Sequence, residues 1–190
     1  YVSALRQMHD ARADAVTLFK PAIALRVRPA SFTGTPMPKD EPMASNPPDG
    51  AIIDYALPDN VHGPVTLNVL DAQGHLVRHY SSAEKTVALN PTTLKIAPEW
   101  VPAPIRLSTR SGMHRFVWNL HYAAPAGTSP SVDGEPASGV WAPPGTYSIE
   151  LDVDGRTYRQ PLQLKADPRV KVSDAAMQRE FVLARKVEAA

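Results

Sequence analysis

Six histidines and 19 acidic residues are the groups in this sequence that would bind a metal ion or catalyse hydrolysis. His75 and His79 lie four apart in a strand-like segment, where two such side chains share a face but lie about 13 Å apart. One zinc ion cannot bridge that distance, because its ligands lie within about 2.3 Å of it. His114 and His121 are also expected to be structural, and no cysteine is present. We predict no metal site.

Motifs for nucleophilic or phosphoryl-transfer chemistry are absent. Ser111-Gly112-Met113-His114 does not supply the Gly-x-Ser-x-Gly elbow of a hydrolase, and no Gly-rich phosphate loop occurs. Asp152-Val153-Asp154-Gly155 begins like a calcium loop but lacks the third oxygen ligand and the closing Glu, so it indicates a hairpin turn. The sequence therefore predicts no catalytic residue and no cofactor.

Two weaker types of site remain open. A pair of carboxylates about 5–10 Å apart can hydrolyse a glycosidic bond, but most candidates lie in proline-rich segments, which favours solvated turn residues. Loop aromatic rings can stack on sugars, although packing of a loop over the core is the favoured interpretation. The carboxylates are Asp40, Glu41, Asp49, Asp54 and Glu99, and the candidate sugar platforms are Trp100, Trp141 and Tyr122.

Composition narrows the class of protein. The 20 basic residues nearly balance the 19 acidic ones, giving a net charge of +1, and they are scattered rather than gathered in a stripe that could follow a phosphate backbone. No apolar run approaches the ~20 residues of a membrane span. Twenty prolines, about twice the usual share of ~5%, disfavour a helical bundle. Nucleic acid and membrane are thus not predicted partners.

Short segments of alternating polarity dominate the chain and predict strands. Trp118 is the expected core anchor, and Asp154-Gly155 suits a type I′ hairpin. Ser173 is placed to cap a C-terminal helix whose apolar residues Met177, Phe181, Ala184 and Val187 recur at helical spacing. The pattern predicts a mainly β fold, an antiparallel sandwich of the Ig-like or fibronectin-III-like type, with an N-terminal extended proline-rich segment and a C-terminal helix. The predicted strands cover residues 23–27, 51–57, 65–70, 75–80, 86–89, 112–120, 147–153 and 156–165.

Five motifs in this order resemble the region that follows the β-propeller in bacterial BNR-repeat proteins, a family described as glycosyl-hydrolase-like or sortilin N-terminal-like. They are Leu18-Phe19-Lys20-Pro21-Ala22 with Arg26-Val27-Arg28, Asn46-Pro47-Pro48-Asp49-Gly50-Ala51-Ile52-Ile53-Asp54-Tyr55, Gly112-Met113-His114-Arg115-Phe116-Val117-Trp118, Pro144-Gly145-Thr146-Tyr147 and Asp167-Pro168-Arg169-Val170.

This resemblance implies an organisation. Residues 1–28 would be the exit segment of a preceding β-propeller, 51–166 an Ig-like sandwich and 167–190 the start of a C-terminal helical segment, with 29–50 as a proline-rich linker. The propeller and the C-terminal helices are the implied partners within a larger protein that is exported to the periplasm or the extracellular space. The missing initiator Met and the unfinished helical pattern at the end also suggest a piece of a longer chain.

The resemblance does not bring a catalytic residue to this segment. The Asp-box of the family belongs to the propeller, and Ser131-Val132-Asp133 is followed here by Gly134-Glu135, which breaks the pattern. We therefore expect a non-catalytic structural or interaction module. The alternative is a carbohydrate-binding accessory module that uses the loop aromatic residues, and a glycosidase is the third hypothesis.

Overall fold

A computed structural model describes residues 2–10, 12, 14–28, 42, 47–85, 92, 94–95, 97, 101, 106–129 and 137–189. In these residues eight strands form two sheets and one α-helix follows them, after a short 3-10 helix at Leu5–Asp10. The elements are β1 (Thr17–Leu18), β2 (Ala24–Arg26), β3 (Ala51–Leu57), β4 (Thr66–Leu70), β5 (Leu76–Ser81), β6 (Gly112–Trp118), β7 (Gly145–Val153), β8 (Arg156–Ala166) and α1 (Asp174–Glu188).

The two sheets have three and five strands. The smaller sheet has the order β1-β3-β6 and is antiparallel throughout. The larger has the order β2-β8-β7-β4-β5, in which β2 runs parallel to β8 and the other neighbours are antiparallel. The predicted mainly β architecture with two sheets and a C-terminal helix is confirmed.

The core lies between the sheets and follows from the period of two in the strands. Every second residue of β3 and β7 is buried because alternate side chains point to the same face. Trp118 is fully buried, as predicted, and its indole nitrogen donates to the carbonyl of His121 at 3.0 Å. The edge of its ring meets Tyr147 from the opposite sheet, with 5.3 Å between ring centres.

The hairpin between β7 and β8 has the predicted turn. Asp154 and Gly155 have φ angles of +48° and +78°, the left-handed geometry that a type I′ turn requires. The Asp154 carboxylate accepts hydrogen bonds from the backbone N–H groups of His62 and Gly63. This carboxylate therefore fastens the hairpin to the loop before β4.

Helix α1 begins at the predicted cap, since the Ser173 side chain accepts from the backbone N–H of Ala176. Met177 is buried and Phe181 is half-buried, but Val187 is 70% exposed, so the prediction that Val187 shares this face is wrong. Glu188 occupies the inner position instead, because its carboxylate accepts from the backbone N–H of Val140 at 3.2 Å.

The chain crosses from one sheet to the other between β1 and β2, because β1 belongs to the three-stranded sheet and β2 to the five-stranded sheet. The predicted strand at 23–27 exists as β2, and its larger apolar residues lie on the exposed face: Ala24 and Arg26 are buried, whereas Ile23 and Leu25 are 57% and 44% exposed. Both strands come from the segment assigned to residues 1–28 and join the same two sheets as strands from 51–166. Most of the predicted linker 29–50 and the predicted strand 86–89 lie outside the described residues.

Candidate functional site

The structure brings two of the three candidate sugar platforms together, and the third, Trp100, lies outside the described residues. Trp141 forms an isolated antiparallel bridge with His121, and the backbone N–H of Tyr122 donates to the carbonyl of Val140 at 2.9 Å. Trp141 and Tyr122 are both partly buried against the core. They therefore lie on two short paired segments at one end of the sandwich.

Trp141 is already in contact with a cation. The guanidinium carbon of Arg26 lies 4.3 Å from the centre of the Trp141 ring, and the His121 ring is nearly parallel to it at 5.8 Å. Arg26 is only 9% exposed, and its Nε has no hydrogen-bond partner in the described part of the chain. Burial lowers the pKa of Arg26, while Glu180 and Tyr147 act in the opposite direction. The cation–π contact thus compensates part of the cost of burying this charge.

His121 lies beside two arginines. Its Nδ1 is 2.7 Å from the carbonyl oxygen of Asn119, so this nitrogen carries the proton and donates. Burial lowers the pKa of His121, and the charges of Arg26 and Arg78 lower it further, while the hydrogen bond to Asn119 opposes them. Burial and the two arginines therefore favour the neutral form of the imidazole.

Tyr122 is covered by the C-terminal helix. Its ring centre lies 5.2 Å from that of Phe181 and 5.0 Å from the guanidinium carbon of Arg185. Arg185 also pairs with Glu188, which binds the backbone N–H of Val140. Tyr122 thus anchors α1 to the sandwich, and a sugar would reach this ring only after α1 has moved.

Of the candidate catalytic carboxylates, Asp49 and Asp54 lie in the described part of the chain. Asp54 is 6% exposed and accepts two hydrogen bonds from Arg115, at 2.8 Å and 3.1 Å, so its carboxylate is already paired with a cation. Asp49 is exposed. Asp40, Glu41 and Glu99 lie outside the described residues.

The histidines make local contacts. His75 pairs with Asp71 at 3.2 Å, His79 contacts the side-chain oxygen of Asn68 at 2.7 Å, and His114 contacts a backbone carbonyl at 2.6 Å. No cluster of three or more metal-ligating side chains occurs among the residues that the structure describes.

A cleft of about 290 Å³ opens between β2 and β3, and we call it the β2–β3 cleft. It forms because β1 pairs with β3 only as far as the hydrogen bond from the Phe19 N–H to the Asp54 carbonyl, after which the chain crosses to the other sheet. Sequence reasoning missed this cleft, although Pro21 between two short apolar segments was an available signal. Its lining includes Lys20, Ile23, Leu25, Ile52, Asp54 and Arg115.

No protein-family model, curated protein or solved structure matches this chain. Helices long and apolar enough to cross a membrane are absent from the described ranges. A functional assignment consequently depends on the arginine–aromatic contacts around Trp141 and Tyr122 and on the β2–β3 cleft.

Proposed function

We propose that this chain is a non-catalytic β-sandwich module that holds neighbouring segments of a larger protein in a fixed arrangement. The docking of α1 carries this proposal: Tyr122 contacts both Phe181 and Arg185, and Glu188 binds the backbone at Val140. A segment that follows the sandwich is therefore held at a defined position. The resemblance of the five motifs supplies the other expected partner, a β-propeller that precedes the sandwich.

The sandwich is, on this proposal, of the Ig-like or fibronectin-III-like type. The Tyr147 hydroxyl donates to the carbonyl of Pro143 at 2.6 Å, at the start of β7 and directly after the chain has crossed between the sheets. Ig-like domains carry a tyrosine corner of this kind at the start of a core strand. The crossing of β1 into β2 adds a strand to each sheet and also supports this type.

Removing the Tyr122 ring, which α1 packs against, tests the proposal. Tyr122→Ala should increase amide hydrogen exchange in residues 177–188 by at least about tenfold, while exchange in β7 stays unchanged. Tyr158→Ala is the matched control, because Tyr158 is also partly buried against the core but lies on β8. Unchanged protection of α1 in Tyr122→Ala would contradict the proposed anchoring role.

A second test uses the longer protein that the resemblance implies. Deleting residues 17–166 should lower the melting temperature of the neighbouring propeller or alter its assembly. Unchanged melting together with an unchanged oligomeric state would contradict a structural role.

An assay with chromogenic glycosides tests the glycosidase hypothesis. We expect no turnover. Turnover that copurifies with the chain and is lost in Asp54→Asn would favour the glycosidase hypothesis instead.

Carbohydrate binding is the second candidate function. It is favoured by Trp141, which is only partly buried, whereas the neighbouring Tyr122 ring is covered by Phe181 and Arg185 of α1. Aromatic faces bind the apolar surfaces of sugars. A glycan array with the intact chain should show a signal that falls on Trp141→Ala or Trp100→Ala. A chain that binds no glycan would remove this candidate.

Export to the periplasm or the extracellular space also belongs to the proposal, and the motif resemblance supports it. Fractionation of cells that carry the natural gene, with an antibody against this chain, tests it. Recovery of the protein in the cytoplasmic fraction alone would contradict the proposed export.

A further inference from the structure

We propose that the β2–β3 cleft binds an extended acidic peptide segment, which adds as a strand beside β2. This inference rests on the proposed interaction function and names a site and a partner chemistry for it. The site lies apart from the contacts that hold α1, so the two proposals can fail independently.

The backbone of the cleft offers strand edges. In the described part of the chain β2 pairs on one side only, with β8, and is the end strand of its sheet. Residues 51–53 of β3 pair with β6 but extend past the end of β1. Strand edges present N–H and C=O groups that pair with an extended peptide, and this pairing supplies affinity in many peptide-binding domains.

The side chains beside that edge are apolar and exposed. Ile23 and Leu25 are 57% and 44% exposed and both line the cleft, together with Ile52. At about 290 Å³ the cleft is slightly smaller than the ~300–1,000 Å³ that is usual for small-molecule pockets. It therefore suits an anchoring side chain of a peptide better than an oligosaccharide.

The charges around β2 favour an acidic partner. Lys20 lines the cleft, Lys165 lies on β8 opposite Leu25, and Arg28 follows β2 in the chain. All three are exposed and have no ion-pair partner among the described residues, whereas Asp54 is paired with Arg115. Asp49 is the other carboxylate in the described lining. Cations beside an edge strand oppose pairing between two copies of the same edge. An acidic peptide is attracted by the same charges, and its binding should weaken as salt is raised.

A labelled peptide tests the proposal. The probe is a fluorescein-labelled heptapeptide of sequence Glu-Val-Glu-Val-Thr-Val-Glu, measured by fluorescence anisotropy with the intact chain. We expect saturable binding, with NMR amide shifts concentrated in residues 20–27 and 51–54. Leu25→Ser should weaken binding by at least about tenfold. Leu76→Ser is the matched control, since Leu76 is 58% exposed on β5, the edge strand at the opposite end of the sheet, and binding should change less than about twofold.

Two further probes separate strand addition from simple attraction between charges. The same peptide with lysine in place of glutamate, and a version with N-methyl groups along one backbone edge, should both bind at least about tenfold more weakly. Equal binding of the N-methylated peptide, loss of binding in Leu76→Ser, or shifts confined to other residues would overturn the proposal. So would the absence of any saturable binding, or an edge occupied by a second copy that the peptide does not displace. None of these results would alter the docking of α1, which is measured separately.

Discussion

The guanidinium of Arg26 stacks on the ring of Trp141, with 4.3 Å between the guanidinium carbon and the ring centre. The contact joins β2, near the beginning of the chain, to the segment just before β7. Arg26 is 9% exposed and lacks a hydrogen bond at Nε in the described residues. The stacking contact therefore holds the edge strand β2 against the end of the sandwich.

A double-mutant cycle measures this contact. Arg26→Met, Trp141→Leu and the double variant should show a coupling of about 0.5–2 kcal/mol in the free energy of unfolding from urea denaturation, since a desolvated cation–π pair is worth up to about 2 kcal/mol. A cycle between Arg26→Met and Tyr158→Leu is the control, and there the effects should add within about 0.5 kcal/mol. Additive effects in the first cycle would contradict the stacking role.

The ion pair between Asp167 and Arg169 predicts a pH dependence. Hydrogen bonds from the Arg169 side chain, and then from its backbone N–H, lower the pKa of Asp167 to about 2. Because this folded-state pKa lies below the value in the unfolded chain, the pair contributes stability at pH above about 4. That contribution is lost as the pH falls from about 4 through 2. An NMR titration of the Asp167 carboxyl should have its midpoint near pH 2.

Replacing Arg169 by a neutral residue should raise the pKa of Asp167. In Arg169→Gln the midpoint of Asp167 should move up towards the ordinary aspartate value, whereas Arg179→Gln, on the exposed surface of α1, should leave it in place. A midpoint that does not move in Arg169→Gln would assign the low pKa to another cause.

The Tyr147 hydroxyl should contribute measurably to stability. It donates to Pro143 at 2.6 Å, and Tyr147 is 5% exposed. Tyr147→Phe should lower the free energy of unfolding by about 1 kcal/mol, because the half-buried carbonyl of Pro143 loses its hydrogen-bond partner. Tyr158→Phe is the control, since in the described residues the Tyr158 hydroxyl has no hydrogen-bond partner, and a change below about 0.5 kcal/mol is expected. Equal effects of the two substitutions would contradict a stabilising role of the hydrogen bond between Tyr147 and Pro143.

Gly50 should tolerate no side chain. Its φ is +131°, and a Cβ atom there would lie 2.2 Å from the backbone oxygen of Trp118. Gly50→Ala should therefore lower the free energy of unfolding by about 3 kcal/mol or more. Gly145→Ala is the control, because a Cβ there would have its nearest contact at 4.0 Å, with Tyr147. Thermal and urea unfolding check both variants, and a mild effect of Gly50→Ala would contradict the close approach at Trp118.

Local patterns predicted much of the fold. The alternation in β7 and β8, the Asp154-Gly155 turn, the burial of Trp118 and the Ser173 cap all depend on residues close together in sequence, and the structure has each of them. Alternation did not predict which face of β2 is buried. Its two faces carry Ile23 and Leu25 on one side and Ala24 and Arg26 on the other, and a pattern of period two cannot rank them once an arginine stem can pack on a tryptophan.

The sequence by itself determined that the chain forms short strands with a helix after them, because strand period, turn chemistry and capping are local properties. Only the tertiary structure decided that Arg26 meets Trp141, that α1 covers Tyr122, and that β2 and β3 diverge to open a cleft. Each of these pairings joins residues far apart in the chain. Local patterns cannot specify such contacts, because they depend on how the two sheets and the helix pack together.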